Sequence, residues 1–417
     1  MQPRYCGIDF GTSNSTVAVA DEGSARLIAL EDGEPTLPSA VFWETDGGPP
    51  QFGRSAIRAY VEGDDGRLMR GLKSTLGSSL IHETTRVGKR ALSFRDVVAR
   101  FIGHLKAEAD AATGGIDSVV LGRPVHFVDS DAEGDRAAQA VLEEIALDAG
   151  FREIAFQFEP IAAALHYEQS VTAEELVLIF DIGGGTSDFS IVRVSPERSR
   201  TQDRQADILA NDGIRVGGTD FDRLLSLSEV MPHLGFGSTT RQGQGNMPRH
   251  FWLDLATWHR INMLYAPRTM SDLKALRRDA DSPELLDRMI RVIEGRAGHA
   301  LAMEAEGAKI ALSESDSTRL ALREIAGAPN PVVTRDRFEQ AVDAPVARVR
   351  SMIGSVLAQA GLAEHDITTV FLTGGSSRLP VLRQAVAAAL PGARMASGDM
   401  LGSVGTGLAV DARRRFR

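Results

Sequence analysis

The sequence predicts an α/β protein built as two related lobes, each a mixed sheet covered by helices. Three observations carry that expectation. Residues 5–19 (YCGIDFGTSNSTVAV) and 176–194 (LVLIFDIGGGTSDFSIVRV) follow one plan: an apolar run, an Asp, a glycine-rich turn with hydroxyls, and a second apolar run. Behind each, strand-like and helix-like segments alternate. The 417 residues also exceed what one hydrophobic core comfortably holds, so two lobes are the natural division.

Each repeated stretch reads as a β-hairpin whose turn can hold a phosphate. Glycine lets backbone N–H groups approach an anion, and Thr and Ser hydroxyls add donors. Asp9 and Asp181 stand at the mouths of the two turns. A carboxylate there repels bare phosphate and makes sense beside a divalent cation, with Mg²⁺ the usual choice. A single such turn is more simply an ordinary Asp-Gly hairpin. Its repetition favours two lobes gripping one polyphosphate.

Along the chain, residues 36–60 mix short strands with Pro/Gly turns. Residues 94–112 place Val97, Val98, Phe101, Ile102 and Leu105 at helical spacing. A strand at 119–125 (VVLGRPV) leads to a helix at 137–150, and a strand at 153–160 to a helix at 161–169. The second half repeats the order, with the hairpin on Asp181, a long helical region, the strand 368–375 (TTVFLTGG) and the helix 379–390. Residues 231–259 read as an irregular insertion anchored by Trp252 and Trp258.

Composition narrows the function. With 43% hydrophobic and 24% charged residues the chain is of the soluble globular kind, and a net charge of −10 argues against nucleic-acid or anionic-membrane binding. The basic run 413–417 (RRRFR) reads as a solvated chain end. The one cysteine, Cys6, falls in an apolar strand, so it is read as a small core residue and Cys-based metal sites are excluded. No secretory leader or bilayer-length apolar run is evident, and cytoplasmic residence is the expectation.

With both hairpins in view, the chain resembles the heat shock protein 70 (DnaK-like) family of the actin-like ATPase superfamily. IDFGTSNS at 8–15 and FDIGGGTSDFS at 180–190 resemble its phosphate motifs; GGTDFD at 217–222, EGAKIALS at 306–313 and LTGGSSRLP at 372–380 resemble its other nucleotide motifs, in the same order. GRPV at 122–125 and GLKSTLG at 71–77 look closest to the short, YegD-like bacterial branch. The resemblance implies a duplicated ribonuclease H-like fold with five-stranded-type sheets and a nucleotide cleft. Lobe I would span 1–172, with residues 36–115 its outer subdomain. Lobe II would span 173–417, with 224–316 its outer part, and no C-terminal peptide-binding domain is expected.

The same resemblance assigns roles. Gly11, Thr12, Ser13 and Asn14, with Gly183, Gly184, Gly185 and Thr186, would hold the phosphates of ATP or ADP. Asp9 and Asp181 would hold Mg²⁺ mainly through its waters. Lys73 corresponds to the catalytic lysine, Glu159 to the carboxylate that orients the attacking water, and Asp181 and Thr186 complete the catalytic set. Asp188 could act as a base or merely cap its turn. Gly217 and Gly218 would approach the phosphates or ribose, Gly374 and Gly375 the adenosine, and Ser376 would complete the pocket. Glu306, Lys309 and Ser313 share one helical face and would meet the ribose and adenine, with Arg378 stacking on the base. Ile310 stands where the family has Arg, and Asp399 only loosely echoes its C-terminal stretch.

The implied function is Mg-dependent ATP binding and slow hydrolysis that opens and closes the lobes, with a protein client or co-chaperone as partner. A small-molecule kinase of the same superfamily and an actin-like filament protein are the alternatives.

Overall fold

The structure, a computed structural model, describes residues 4–21, 24–128, 131–168, 171–201, 203–241, 247–397 and 402–416. Asp399 and Arg417 lie outside the described residues, as does 242–246 of the aromatic insertion. The chain divides into two units, Met1–Arg215 with Arg350–Ser377 and Val386–Arg417, and Val216–Val349 with Arg378–Ala385.

Both expected hairpins form, and both lie in the first unit. Tyr5–Phe10 pairs antiparallel with Asn14–Ala20, and Ser118–Arg123 and then Glu153–Phe158 add in parallel on the other side. Ala25–Leu27 closes the far edge. The second sheet repeats this arrangement strand for strand. Glu175–Ile182 pairs antiparallel with Ser187–Val194, which pairs with Ile208–Ile214; Thr369–Thr373 and Arg394–Ser397 add in parallel. The duplication read from two turns therefore extends to whole sheets. A sixth strand, Thr36–Pro38, also pairs with Asn14–Ala20 in the first sheet.

Strands flanked by helices are buried on both faces, which is why Val119, Val120 and Leu121 form a continuous apolar run. The helices Glu159–Glu168 and Ser403–Arg415 join Val177, Ile179 and Phe371 of the second sheet in one core cluster. Their backbones touch. A Cβ on Gly407 would fall 1.8 Å from the carbonyl oxygen of Ala162, a contact only glycine permits.

The helix Phe94–Thr113 buries all five residues that predicted it, and Ser93 and Asp96 close its first turn as a capping box. The helix expected at 137–150 begins earlier, as Ala132–Asp148, because the Asp131 carboxylate accepts from the N–H groups of Glu133 and Gly134 and caps it. The basic run is not a solvated end: Arg413 to Arg415 form the last turn of the closing helix, half-buried, with Arg413 donating to the Asp21 carbonyl and Arg415 paired to Asp411.

The second unit is mostly helical, with helices Gly218–Leu225, His250–Leu255, Pro267–Asp279, Pro283–Glu294 and Gly298–Glu314, and the strands Ser317–Arg319 and Val332–Thr334 paired antiparallel. Trp252 is fully buried there and donates to the Leu234 carbonyl at 2.9 Å; Trp258 packs edge-on against His299. Both tryptophans are packing residues.

Candidate functional site

In the first unit the two glycine-rich turns face each other. A Cβ on Gly184 would fall 1.9 Å from Ser13 Oγ, so the second turn lies against the first where a side chain would collide. The first turn is fixed from beneath: Ser39 donates its hydroxyl to the Gly11 carbonyl at 2.6 Å and shares a 2.9 Å hydrogen bond with Ser15. Nothing in the sequence singled out Ser39, which lies in the Pro/Gly-rich meander. The second turn is closed by Gly183 N–H donating to the Thr186 carbonyl at 3.0 Å, and the Thr186 hydroxyl reaches Asp188 at 3.4 Å. Thr12, Asn14, Gly185 and Thr186 stay exposed, as residues offering donors to a ligand must be.

Asp9 is the penultimate residue of the first strand, opposite Thr16, and Asp181 is the penultimate residue of its counterpart, opposite Asp188. Gly374 follows the neighbouring parallel strand with φ +81°, and a Cβ there would meet Ile182 O at 2.3 Å and Asp181 Oδ1 at 2.7 Å. Its left-handed backbone and this close approach both require glycine. Gly375 is exposed beside it, and Ser376 is buried.

Lys73 is no surface lysine. Gly71, at φ +66°, turns the chain into the short 3-10 segment Leu72–Thr75, which buries Leu72 and Thr75 and leaves the Lys73 side chain 11% exposed. Its ammonium pairs with Glu159, the first residue of the helix Glu159–Glu168, whose side chain is 16% exposed. Gly122 makes room for that carboxylate, since a Cβ there would lie 3.3 Å from Glu159 Cγ.

The charges are coupled. Burial pushes the Asp9 carboxyl up to about 7, with Glu159 adding to the rise and Lys73 opposing it. Burial pushes Asp181 up to about 8, reinforced by Asp188, Glu159 and Asp9 and again opposed by Lys73. For Lys73, burial works against the charge, but Glu159, Asp9 and Asp181 outweigh it and hold the ammonium above its ordinary value. Fully ionised, Asp9, Asp181 and Glu159 with one ammonium would carry an excess of negative charge, which protons relieve here and which a divalent cation would neutralise in their place. Among the described residues no group of three or more His, Cys, Asp or Glu is arranged to hold a metal ion directly.

Of the residues assigned to the nucleoside, Gly217, Gly218, Glu306, Lys309, Ser313 and Arg378 belong to the second unit, and Gly374, Gly375 and Ser376 to the first. Gly217 and Gly218 are buried at the start of the helix Gly218–Leu225, where Gly217 N–H donates to Asp220 at 3.1 Å. Lys309 is buried and already engaged, paired with Asp222 at 2.8 Å and donating to the Gly218 carbonyl at 3.4 Å. The Ser313 hydroxyl donates to the Lys309 carbonyl, Glu306 is half-buried, and Arg378 is exposed. Ile310 is 57% exposed, an apolar side chain open to solvent on that helix.

The sequence matches the family profile described as Hsp70 protein over residues 5–86, 51–230 and 291–412. Chaperone protein HscA of Citrobacter koseri is 27% identical over 401 residues, covering 91% of this chain and 53% of the relative. Chaperone protein HscA of Salmonella typhimurium is 27% identical and that of Pectobacterium carotovorum subsp. carotovorum 28% identical, with the same coverage. The chain spans about half the length of the curated relatives it matches.

Proposed function

Because this chain belongs to the heat shock protein 70 family, whose fold is the actin-like ATPase fold, we propose that it binds Mg-ATP and hydrolyses it slowly as a chaperone-like or regulatory ATPase. The observation that carries this reading is the half-buried cluster of Lys73, Glu159, Asp9 and Asp181 beside two facing glycine-rich turns. Family membership does not favour the kinase and filament alternatives.

In this reading Gly11 to Asn14 and Gly183 to Thr186 bind the phosphates through backbone N–H groups and hydroxyls. Asp9 and Asp181 would hold Mg²⁺ mainly through its waters, and a cation there would supply positive charge beside the phosphate oxygens. Glu159 orients the attacking water, and Lys73 offsets the charge that develops as the terminal phosphoryl separates. Thr186 completes the catalytic set through its hydroxyl, which here reaches Asp188. Glu306, Lys309, Ser313 and Arg378 meet the nucleoside together with Gly217, Gly218, Gly374, Gly375 and Ser376.

Opening and closing of the lobes 1–172 and 173–417 is the output that a client or co-chaperone reads, in the cytoplasm. No helix among the described residues is long and apolar enough to cross a membrane. The test is phosphate release from ATP by the purified chain with and without Mg²⁺. Mg-dependent release supports the proposal, and no release above a buffer control refutes the hydrolytic part of it.

A further inference from the structure

Arg123, in the GRPV motif, lies outside every role assigned above. It ends the strand Ser118–Arg123 and stands opposite Phe158 in the parallel register, one residue before Glu159. Its side chain is only 12% exposed. The guanidinium uses all its edges: Nε donates to the Pro124 carbonyl at 3.1 Å, one terminal nitrogen to Gln139, and the other to Asp135 at 2.5 Å and the Val125 carbonyl at 3.3 Å. The second Asp135 oxygen accepts from Phe127 N–H at 2.6 Å. The rings of Phe127 and Phe158 lie 5.3 and 5.2 Å from the guanidinium carbon.

The segment so held bears on both members of the ion pair. On one side, Phe158 leads directly into Glu159. On the other, a Cβ on Gly77 would fall 2.7 Å from Phe127 O and 2.8 Å from a Val128 methyl, so the chain leaving the Lys73 turn rests on residues 127 and 128. A planar, five-donor cation is suited to such a junction, and lysine could satisfy only part of it.

We propose that Arg123 is a positioning residue that holds the Lys73 turn and the Phe158–Glu159 junction in one geometry and so sets the Lys73–Glu159 pair.

The primary test needs no nucleotide: competitive amine labelling of the folded chain, read by mass spectrometry, in the parent protein and in Arg123→Met. Lys73 should label at least several-fold faster in the variant relative to exposed Lys89, while Lys106, equally buried on the helix Phe94–Thr113 and paired with Asp110, keeps its parent rate. An unchanged Lys73 rate, or a parallel rise at Lys106, overturns the proposal. Asp135→Asn, which weakens the same clamp with less loss of volume, should give the same pattern if Arg123→Met does not fold. A second arm rests on the ATPase reading: single-turnover hydrolysis should fall by roughly 10- to 100-fold with the nucleotide Kd within about threefold. Absence of turnover in the parent protein would sink the ATPase reading, and the labelling arm would still decide this one.

Discussion

Replacing Lys73 by Met keeps the length of the side chain and removes the one ammonium that opposes the proton affinity of Asp9 and Asp181. Two consequences follow, with different magnitudes. If Lys73 offsets developing charge, turnover should fall by roughly a hundredfold to a thousandfold, about 2.7–4 kcal/mol of barrier, with nucleotide binding retained. Stability should also fall, because the pair is about nine-tenths buried at Lys73 and its loss leaves Glu159 without a partner; about 1–3 kcal/mol is the scale for such a group. That second loss should depend on pH. At pH 5.5 the Asp9 and Asp181 carboxyls, raised to about 7 and 8, are protonated and little affected by the missing cation; at pH 8.5 they are forced toward the charged form without it. Denaturant melts of parent and variant at the two pH values, with single-turnover hydrolysis, measure both effects. Turnover within about threefold of the parent, or an equal stability loss at both pH values, would refute the reasoning.

The nucleotide-free chain should lose stability as pH rises from about 4 to 8, because over that window the native state holds protons on Asp9 and Asp181 that unfolded carboxyls have released; denaturant midpoints measured across the range check this, and a midpoint that rises with pH contradicts it. Mg-nucleotide should expel such protons on binding at pH 7, seen as a calorimetric enthalpy that varies with the buffer's ionisation heat, and buffer-independent heats speak against the carboxylate assignment. Gly184→Ala should weaken nucleotide binding by about tenfold, the effect of roughly 1.4 kcal/mol of displaced contact at Ser13, and an unaltered Kd in this variant tells against facing turns. Lys309→Met should lower the stability of the second unit by about 1–3 kcal/mol by removing its buried ion pair with Asp222, measured by thermal or denaturant melts, and a variant as stable as the parent shows that the pair does not hold the two helices together.

What the sequence reveals and what it hides divide along a physical line. Hairpins and amphipathic helices are local, so the two turns, the helix Phe94–Thr113 and the buried strands could be read from spacing alone. The early start of Ala132–Asp148 was hidden, because its first turn is Ala-Glu-Gly-Asp, with no apolar stripe, and its capping lies in a side-chain hydrogen bond. Pairing of Thr36–Pro38 onto a strand 22 residues back was equally invisible from a three-residue segment bounded by Pro38. Contacts between distant residues are the least legible. Lys73 meets Glu159 across 86 positions, and without the motif match neither would stand out from other surface charges. The Lys309 partner Asp222 was within a quoted motif, yet only the fold shows that the two helices carrying them are tied together.

A Mg-nucleotide held by Asp9, Asp181 and the two glycine-rich turns is the core of the proposed function. Titrating the folded chain with ADP or ATP in a calorimeter, with Mg²⁺ and then with a chelator, tests this most directly. One saturable site per chain that weakens strongly without Mg²⁺ and in Asp181→Asn is the predicted result; no heat and no thermal stabilisation from either nucleotide would contradict it.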